Sequence, residues 1–435
     1  MSNLSNRQNP LTDIQLEEVE EAFDRIVKHF TAPWLTQQSG NHMLQTLWNR
    51  RDALATNELF AFGKSLIASE RISESWLRNQ LKLIRGKDEN NQRGAIFEIL
   101  ALGYLSSRQV VFPAAANHPG YDLDIKTKQG ADYQISLKRY SQSTHEKLFR
   151  KKSAHAEKVL LDGLKKTCRN GMLYVEAKEH PSESDWQKLY SELNLLTSSF
   201  DGSKRIEEIS GKWLIGLMPL IPQSNEQYST GHISYSFTCS SPYHKNEQDN
   251  FTSKLEAAVS NLERHINKGS EQIPLIIIQL PLSASAITLT QWAQEYLNSN
   301  ISSVLEAVLF VQPFTTSTED MSSSYIAYNI SSAFASSFGA KVTEPLNFEM
   351  PVGKITQQPP TWSLRSDLGD RPLFDKYVYQ RGKHYLLASI SENGSLMANV
   401  SRKAHGIETI AVINLSGKSF EVAGRWGEDL CLIGE

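Results

Sequence analysis

The chain has 435 residues, with 45 Lys/Arg against 48 Asp/Glu, a formal net charge of −3, and 40% hydrophobic and 21% charged residues. That is an ordinary globular composition, long enough for two or three domains, and it excludes a uniformly basic nucleic-acid binder. Three scattered cysteines (Cys168, Cys239, Cys431) exclude a disulfide framework and a Cys-rich zinc site. No apolar run reaches membrane-span length, and the polar Met1–Ser5 start does not read as a signal peptide, so the expected setting is the cytoplasm.

Residues 1–90 read as a helical region. Leu16, Val19, Phe23, Ile26 and Phe30 recur at three- and four-residue spacing, with Thr12-Asp13 offering a cap. Met43, Leu44, Leu47 and Trp48 open a second helix. Leu59, Phe60, Phe62, Leu66 and Ile67 mark a third, and Trp76, Leu77, Leu81 and Ile84 a fourth. The polar run Arg85–Asn91 interrupts the pattern. The next helix, Arg93–Leu105, is apolar all round except for Glu98. A lone carboxylate on a buried helix costs several kcal/mol, roughly, unless a cation or hydrogen bonds compensate.

Two strands are expected next. Tyr121, Leu123 and Ile125 alternate with Asp122 and Asp124. Tyr133, Ile135 and Leu137 alternate with Gln134, Ser136 and Lys138. Period-two alternation sends the apolar set to one face and the polar set to the other, and Lys126-Thr127-Lys128-Gln129-Gly130 suits a hairpin connection. Once paired, the strands bring Asp122, Asp124, Ser136 and Lys138 onto one surface as a candidate metal-and-lysine site. From Lys138 to Arg169 there are ten Lys/Arg against three Asp/Glu. That local excess includes Arg139, Lys147, Arg150, Lys151 and Lys152, and it is the expected footprint for a phosphate backbone. Met172–Lys178 is a further strand whose Glu176 and Lys178 read as a solvated end. His118 and His145 stand in loop-like context without a second ligand at helical or hairpin spacing, and they read as structural or solvated.

Beyond residue 178 the α/β alternation resumes. It runs through helix Asp185–Leu196, strand Trp213–Met218, a helix on Phe251, Leu255, Val259, Leu262 and Ile266, and the apolar strand Leu275–Leu280. Helix 288–298 and strand Val304–Phe310 complete it, with loops at 219–250 and 313–324. Residues 91–340 are therefore expected to form one α/β domain with a mixed sheet flanked by helices. Pro351, Pro359, Pro360 and Gly369–Pro372 suggest a linker. Short alternating runs, with a hairpin signal at Asn393-Gly394, then predict a small β-rich domain over 345–435. No P-loop, dinucleotide fingerprint, nucleophile elbow or internal repeat is present.

A helix with Glu98, then Asp122 after His118-Pro119-Gly120-Tyr121, then a strand ending in Lys138, resembles the PD-(D/E)xK nuclease superfamily. The resemblance covers residues 91–180 closely and extends to 330 by topology. It implies a restriction-endonuclease-like core and Mg²⁺-dependent DNA endonuclease activity, with Mn²⁺ as second cation, in prokaryotic restriction or anti-phage defence. It also implies metal ligation by Asp122 with Glu98 or Asp124, and a catalytic role for Lys138. One position departs. Ser136 stands where the family carries an acid, a Ser-x-Lys variant that recruits a carboxylate from elsewhere, here Glu98, Asp124 or Glu146. The alternatives are a nuclease-fold nucleic-acid-binding or interaction protein without cleavage, or an RNA (tRNA)-cleaving nuclease. Partners would be DNA ahead of RNA, no membrane, and a second copy or a defence-system protein.

Overall fold

The structure, a computed structural model, describes residues 13–37, 42–49, 53–114, 120–128, 132–219, 233, 235–265, 272–281, 284–300, 303–317, 324–342, 344–349, 376–382, 384–391, 394–403, 406–415 and 418–426. The helices begin with α1 (Leu16–Phe30), α2 (Ala32–Leu35), α3 (Met43–Asn49), α4 (Ala53–Arg85) and α5 (Glu89–Ser106). Strands β1 (Val110–Pro113), β2 (Leu123–Lys126) and β3 (Asp132–Arg139) follow, then α6 (Thr144–Thr167), β4 (Gly171–Ala177) and α7 (Glu183–Ser198). Next come β5 (Arg205–Ile209), β6 (Trp213–Pro219), β7 (Tyr235–Ser241), α8 (Glu247–His265), β8 (Gln272–Gln279) and α9 (Ala286–Ser299). The last are β9 (Ala307–Ser317), β10 (Ser324–Phe334), α10 (Phe338–Lys341), β11 (Tyr377–Gly382), β12 (His384–Ser391), β13 (Gly394–Lys403), β14 (Gly406–Leu415) and β15 (Lys418–Trp426).

The architecture is α/β, with mixed sheets flanked by helices, in two compact units. One comprises Met1–Ser141, Asp249–Pro281 and Ala286–Arg371. The other comprises Gln142–Gln248, Leu282–Ser285 and Pro372–Glu435. This division differs from the expected boundaries at 90 and 340. The chain leaves the first unit after β3 and returns in α8, so the stretch expected to continue a single 91–340 domain instead supplies a second sheet with its own core.

The first unit holds a six-stranded sheet in the order β1-β2-β3-β8-β9-β10. The pairs β3–β8 and β8–β9 are parallel and the rest antiparallel. Leu275–Ile278 of β8 is buried throughout, as a strand covered on both faces requires. The α1 stripe buries Val19, Ala22, Phe23, Ile26 and Phe30 as its spacing predicts, but the N-cap is Gln15, without a side-chain cap bond, rather than Thr12-Asp13. The expected third and fourth helices both form; together they make up α4, with non-helical torsions at Ser73 between them. Two glycines permit close helix contact. A Cβ on Gly63 would lie 2.3 Å from the Ala22 carbonyl of α1, and one on Gly103 would lie 2.3 Å from Ser65 Oγ of α4. α5 begins inside the polar run, where Asp88 caps it by accepting from the Asn91 N–H.

The second unit holds a five-stranded sheet, β11-β7-β4-β6-β5, with β4 and β7 parallel, over a core that includes Phe149, Leu160, Trp186, Leu189, Trp213 and Phe237. β7 lies inside the stretch expected to be a loop, 219–250. Its sequence, Tyr-Ser-Phe-Thr-Cys-Ser-Ser, is buried on both faces by small hydroxyl and thiol side chains, so polarity masked a central strand. β10 lies outside the expected strands although Tyr325, Ile326, Tyr328 and Ile330 suit one, and β9 continues through Pro313 into the expected 313–324 loop. β12–β15 form a four-stranded antiparallel meander, and pairing of Ser391 with Gly394 places a hairpin at the predicted signal. The expected linker residues Pro351, Pro359, Pro360 and Gly369–Pro372, and the last expected strand, Asp429–Ile433, lie outside the described residues.

Candidate active site

Asp122 stands one residue before β2 and is gripped from both sides. Its N–H donates to the Ile135 carbonyl at 2.8 Å, and its own carbonyl accepts from the Ala114 N–H at 2.9 Å. The β2–β3 register pairs Leu123 with Ile135 and Asp124 with Gln134, which puts Asp122 opposite Ser136. Asp122 Oδ2 accepts the Leu137 N–H at 2.6 Å and the Ser136 hydroxyl at 3.4 Å, and lies 3.7 Å from Lys138 Nζ. The Lys138 ammonium also donates to the Leu137 carbonyl at 3.2 Å, yet its side chain is 44% exposed and so within reach of a ligand.

Glu98 enters from α5. Gln80 of α4 donates to its Oε2 at 2.7 Å. Burial, and next the negative charge of Asp122, push the Glu98 carboxyl up to about 7, against the pull of Lys138 and the Gln80 hydrogen bond. Glu98, Asp122, Ser136 and Lys138 thus occupy one electrostatic neighbourhood, assembled from a helix, a strand entry and the adjoining strand. Gln80 escaped notice in the sequence, although a signal was there. It is polar within the stripe formed by Trp76, Leu77, Leu81 and Ile84, and it is buried.

Asp124 lies further along the strand and takes the Tyr121 hydroxyl. Burial first, then that hydrogen bond and the Asp124 charge, push Tyr121 up to about 12. Among the described residues, the group of three His, Cys, Asp or Glu side chains placed to hold a metal ion is His145, His180 and His244, whose ligand atoms all lie within 4.8 Å of one another; neither Asp122 nor Asp124 belongs to such a group. His145 therefore belongs to a cluster, where its sequence context suggested a solvated or structural residue. Chain spacing gives no sign of its companions, because no two of the three stand at helical or hairpin spacing. His118 lies outside the described residues.

Of the expected basic residues, Arg139 is half-buried in the first unit. Burial foremost, and then the charge of Arg93, lower its pKa to about 10. Lys147, Arg150, Lys151 and Lys152 lie on α6, in the second unit. Arg150 pairs with Glu146 at 3.1 Å and Lys152 with Glu183 at 2.5 Å, so part of that positive charge is compensated within the helix and its neighbour. Glu146, one of the acids considered for recruitment, is occupied with Arg150 there. Lys178 is exposed, as expected of a solvated strand end, whereas Glu176 is half-buried. Glu176 binds Lys376 at 2.8 Å and the Tyr174 hydroxyl at 2.6 Å, while Lys178 binds Glu208 at 2.8 Å.

No family model, no curated protein and no solved structure matches the chain. Among the described residues no helix is long and apolar enough to cross a membrane.

Proposed function

We propose that the protein is a metal-dependent DNA endonuclease whose reaction centre is built from Glu98, Asp122, Ser136 and Lys138 in the first unit. The observation that carries this reading is the approach of the Asp122 carboxylate to both Glu98 and Lys138. The order α5, β1, β2, β3, then α8 and β8, with β8 parallel to β3, supports a restriction-endonuclease-like core in which the second unit is an insertion.

The donor set fits Mg²⁺, with Mn²⁺ as the second choice. Two carboxylates lie close enough for one to raise the pKa of the other, and among the described residues the buried Gln80 Oε1 and Gln134 Oε1 accept no hydrogen bond. Hard oxygen donors of this kind are what Mg²⁺ prefers. Asp122 and Glu98 would hold the ion. When bound, it supplies positive charge to phosphoryl oxygens and acidifies a coordinated water. The chain's own groups do the rest. The Leu137 N–H and the Ser136 hydroxyl orient Asp122, Gln80 orients Glu98, and the exposed Lys138 ammonium stabilises negative charge developing on the phosphate. Half-buried Arg139 feels the like charge of Arg93, which Glu89 offsets in part, and offers a DNA phosphate a partly desolvated cation.

One observation favours a second reading. Ser136 donates to Asp122 and adds no carboxylate, and the described residues offer no third acid within ligand spacing of that group. A nuclease-fold protein that binds nucleic acid without cutting would look the same. Incubation with plasmid, phage and host DNA, and with tRNA, in Mg²⁺ or EDTA separates the readings. Mg²⁺-dependent DNA cutting is expected. Cleavage of tRNA alone would redirect the proposal to RNA, and binding without cleavage would support the second reading. A cytoplasmic setting, a defence role and a partner or second copy remain parts of this proposal.

A further inference from the structure

We propose that His145, His180 and His244 form a binding site in the second unit for one divalent transition-metal ion, Zn²⁺ foremost, separate from the carboxylate centre. Each offers a ring nitrogen, and these atoms all lie within 4.8 Å of one another. The rings of His145 and His244 stack, with centroids 3.6 Å apart and planes 10° from parallel. His180 stands edge-on to both, at 6.2 Å and 4.8 Å, with interplanar angles of 84° and 88°. All three are half-buried.

Three separate elements deliver these rings. His145 lies in the first turn of α6, whose start is set by the Ser143 hydroxyl accepting the Glu146 N–H at 2.9 Å. His180 follows β4 and His244 follows β7. Those strands are parallel neighbours, so both loops leave the same end of the sheet. Nothing in chain spacing requires the three to meet.

The donor set decides the kind of ion. Imidazole nitrogens suit Zn²⁺ and its first-row neighbours, whereas Mg²⁺ takes oxygen. Tetrahedral Zn²⁺ with bonds of about 2.0–2.1 Å places nitrogens about 3.4 Å apart. The widest pair here must therefore close by up to about 1.4 Å, within reach of side-chain rotation. His180 Nδ1 faces the Pro242 carbonyl at 3.4 Å. A carbonyl only accepts, so the proton belongs on Nδ1 and Nε2 is left as the ligand. His244 must change its bonding. Its Nδ1 accepts from the Asn246 N–H at 3.2 Å, and ligation through Nε2 requires that contact to be given up.

Compensating negative charge is near. Glu247 is 3% exposed, its Oε1 accepts from the Ser143 and Tyr377 hydroxyls, and its charge acts on both His180 and His244. Three protein ligands leave a fourth position for water or an exchangeable anion, the arrangement of open rather than closed zinc sites.

The test uses the full chain after chelator treatment. Zn²⁺ stoichiometry is read by competition with a chromophoric chelator and by elemental analysis, and Co²⁺ substitution by visible absorption. One ion per chain is expected. Loss of a ligand should cost at least as much as loss of an outer-sphere partner, so H180A should bind about 100-fold more weakly. The double variant H145A/H244A should lose the Co²⁺ band. Zn²⁺ binding should survive unchanged in D122A/E98Q, which separates this site from the carboxylate centre. No Zn²⁺ or Co²⁺ binding by wild type, or undiminished binding by the folded histidine variants, overturns the proposal. Should the variants not fold, chemical modification of wild-type histidines decides it. Zn²⁺ protects His145, His180 and His244 together if the site exists, and lack of that protection overturns it.

Discussion

Asp122 carries more of the site than any other residue, because its carboxylate meets a backbone N–H, a hydroxyl and an ammonium at once. D122A and K138A should each abolish Mg²⁺-dependent DNA cleavage while circular dichroism shows a folded chain. Full cutting by both would remove the site assignment. Glu98 makes a pH-dependent contribution. Its folded-state pKa of about 7 exceeds the ordinary 4.5, so the native protein keeps a proton that the unfolded chain has released between those values. The stabilisation is complete below the unfolded value and is lost as pH rises through about 7, by on the order of 3 kcal/mol. E98Q keeps the volume and carries no titration. It should match wild type in acid and exceed it in denaturant resistance at about pH 8, while cutting DNA about 100-fold more slowly. Equal pH profiles for the two proteins would show that the carboxyl is not perturbed. S136E asks a different question. An inert wild type with a cutting S136E variant means the serine is what silences the site. An active wild type means two carboxylates suffice.

At the scale of elements, the site depends on how closely α4 and α5 approach, since Gln80 and Glu98 sit on opposite sides of that contact. A Cβ on Gly103 would lie 2.3 Å from Ser65 Oγ and 2.8 Å from the Ser65 Cα, so the backbones must separate. G103A should destabilise by about 1–3 kcal/mol, read from the denaturant midpoint, as overpacking does. Charge on elements is also divided. Neutralising Arg139 should flatten the log–log salt dependence of DNA binding by about one unit if it meets phosphate, with less from Arg93, which Glu89 already pairs at 2.5 Å. Neutralising Arg150 and Lys152 should change it less, because Glu146 and Glu183 already hold them. The opposite ranking, in a binding titration over salt, would move the footprint to α6.

For the whole molecule, two compact units with separate cores predict unfolding that is not two-state. Calorimetry should resolve two transitions. G103A should lower one, and G163A the other, since a Cβ on Gly163 of α6 would lie 2.3 Å from the Thr197 Cβ within the second unit. A single transition shifted equally by both variants would mean that the units unfold as one.

Much of this was legible in the chain because it is local. Period-two alternation placed Leu123, Ile125, Tyr133 and Ile135 in the core and Asp122 with Ser136 on the other face, and helical spacing found the buried stripe of α1. The isolated acid in an apolar helix pointed to Glu98. What escaped depends on contacts far apart in sequence. β7 was hidden because a strand buried on both faces by Ser, Thr and Cys carries no hydropathy signal. The separation of α6 from the first sheet followed from which strands pair, and periodicity does not report pairing. The histidine cluster lies at the extreme of this kind. Which faces are apolar and which residues carry charge can be read along the chain. That His145, His180 and His244 meet cannot, because it follows from parallel pairing of β4 with β7, which brings two loops to one sheet end beside the start of α6.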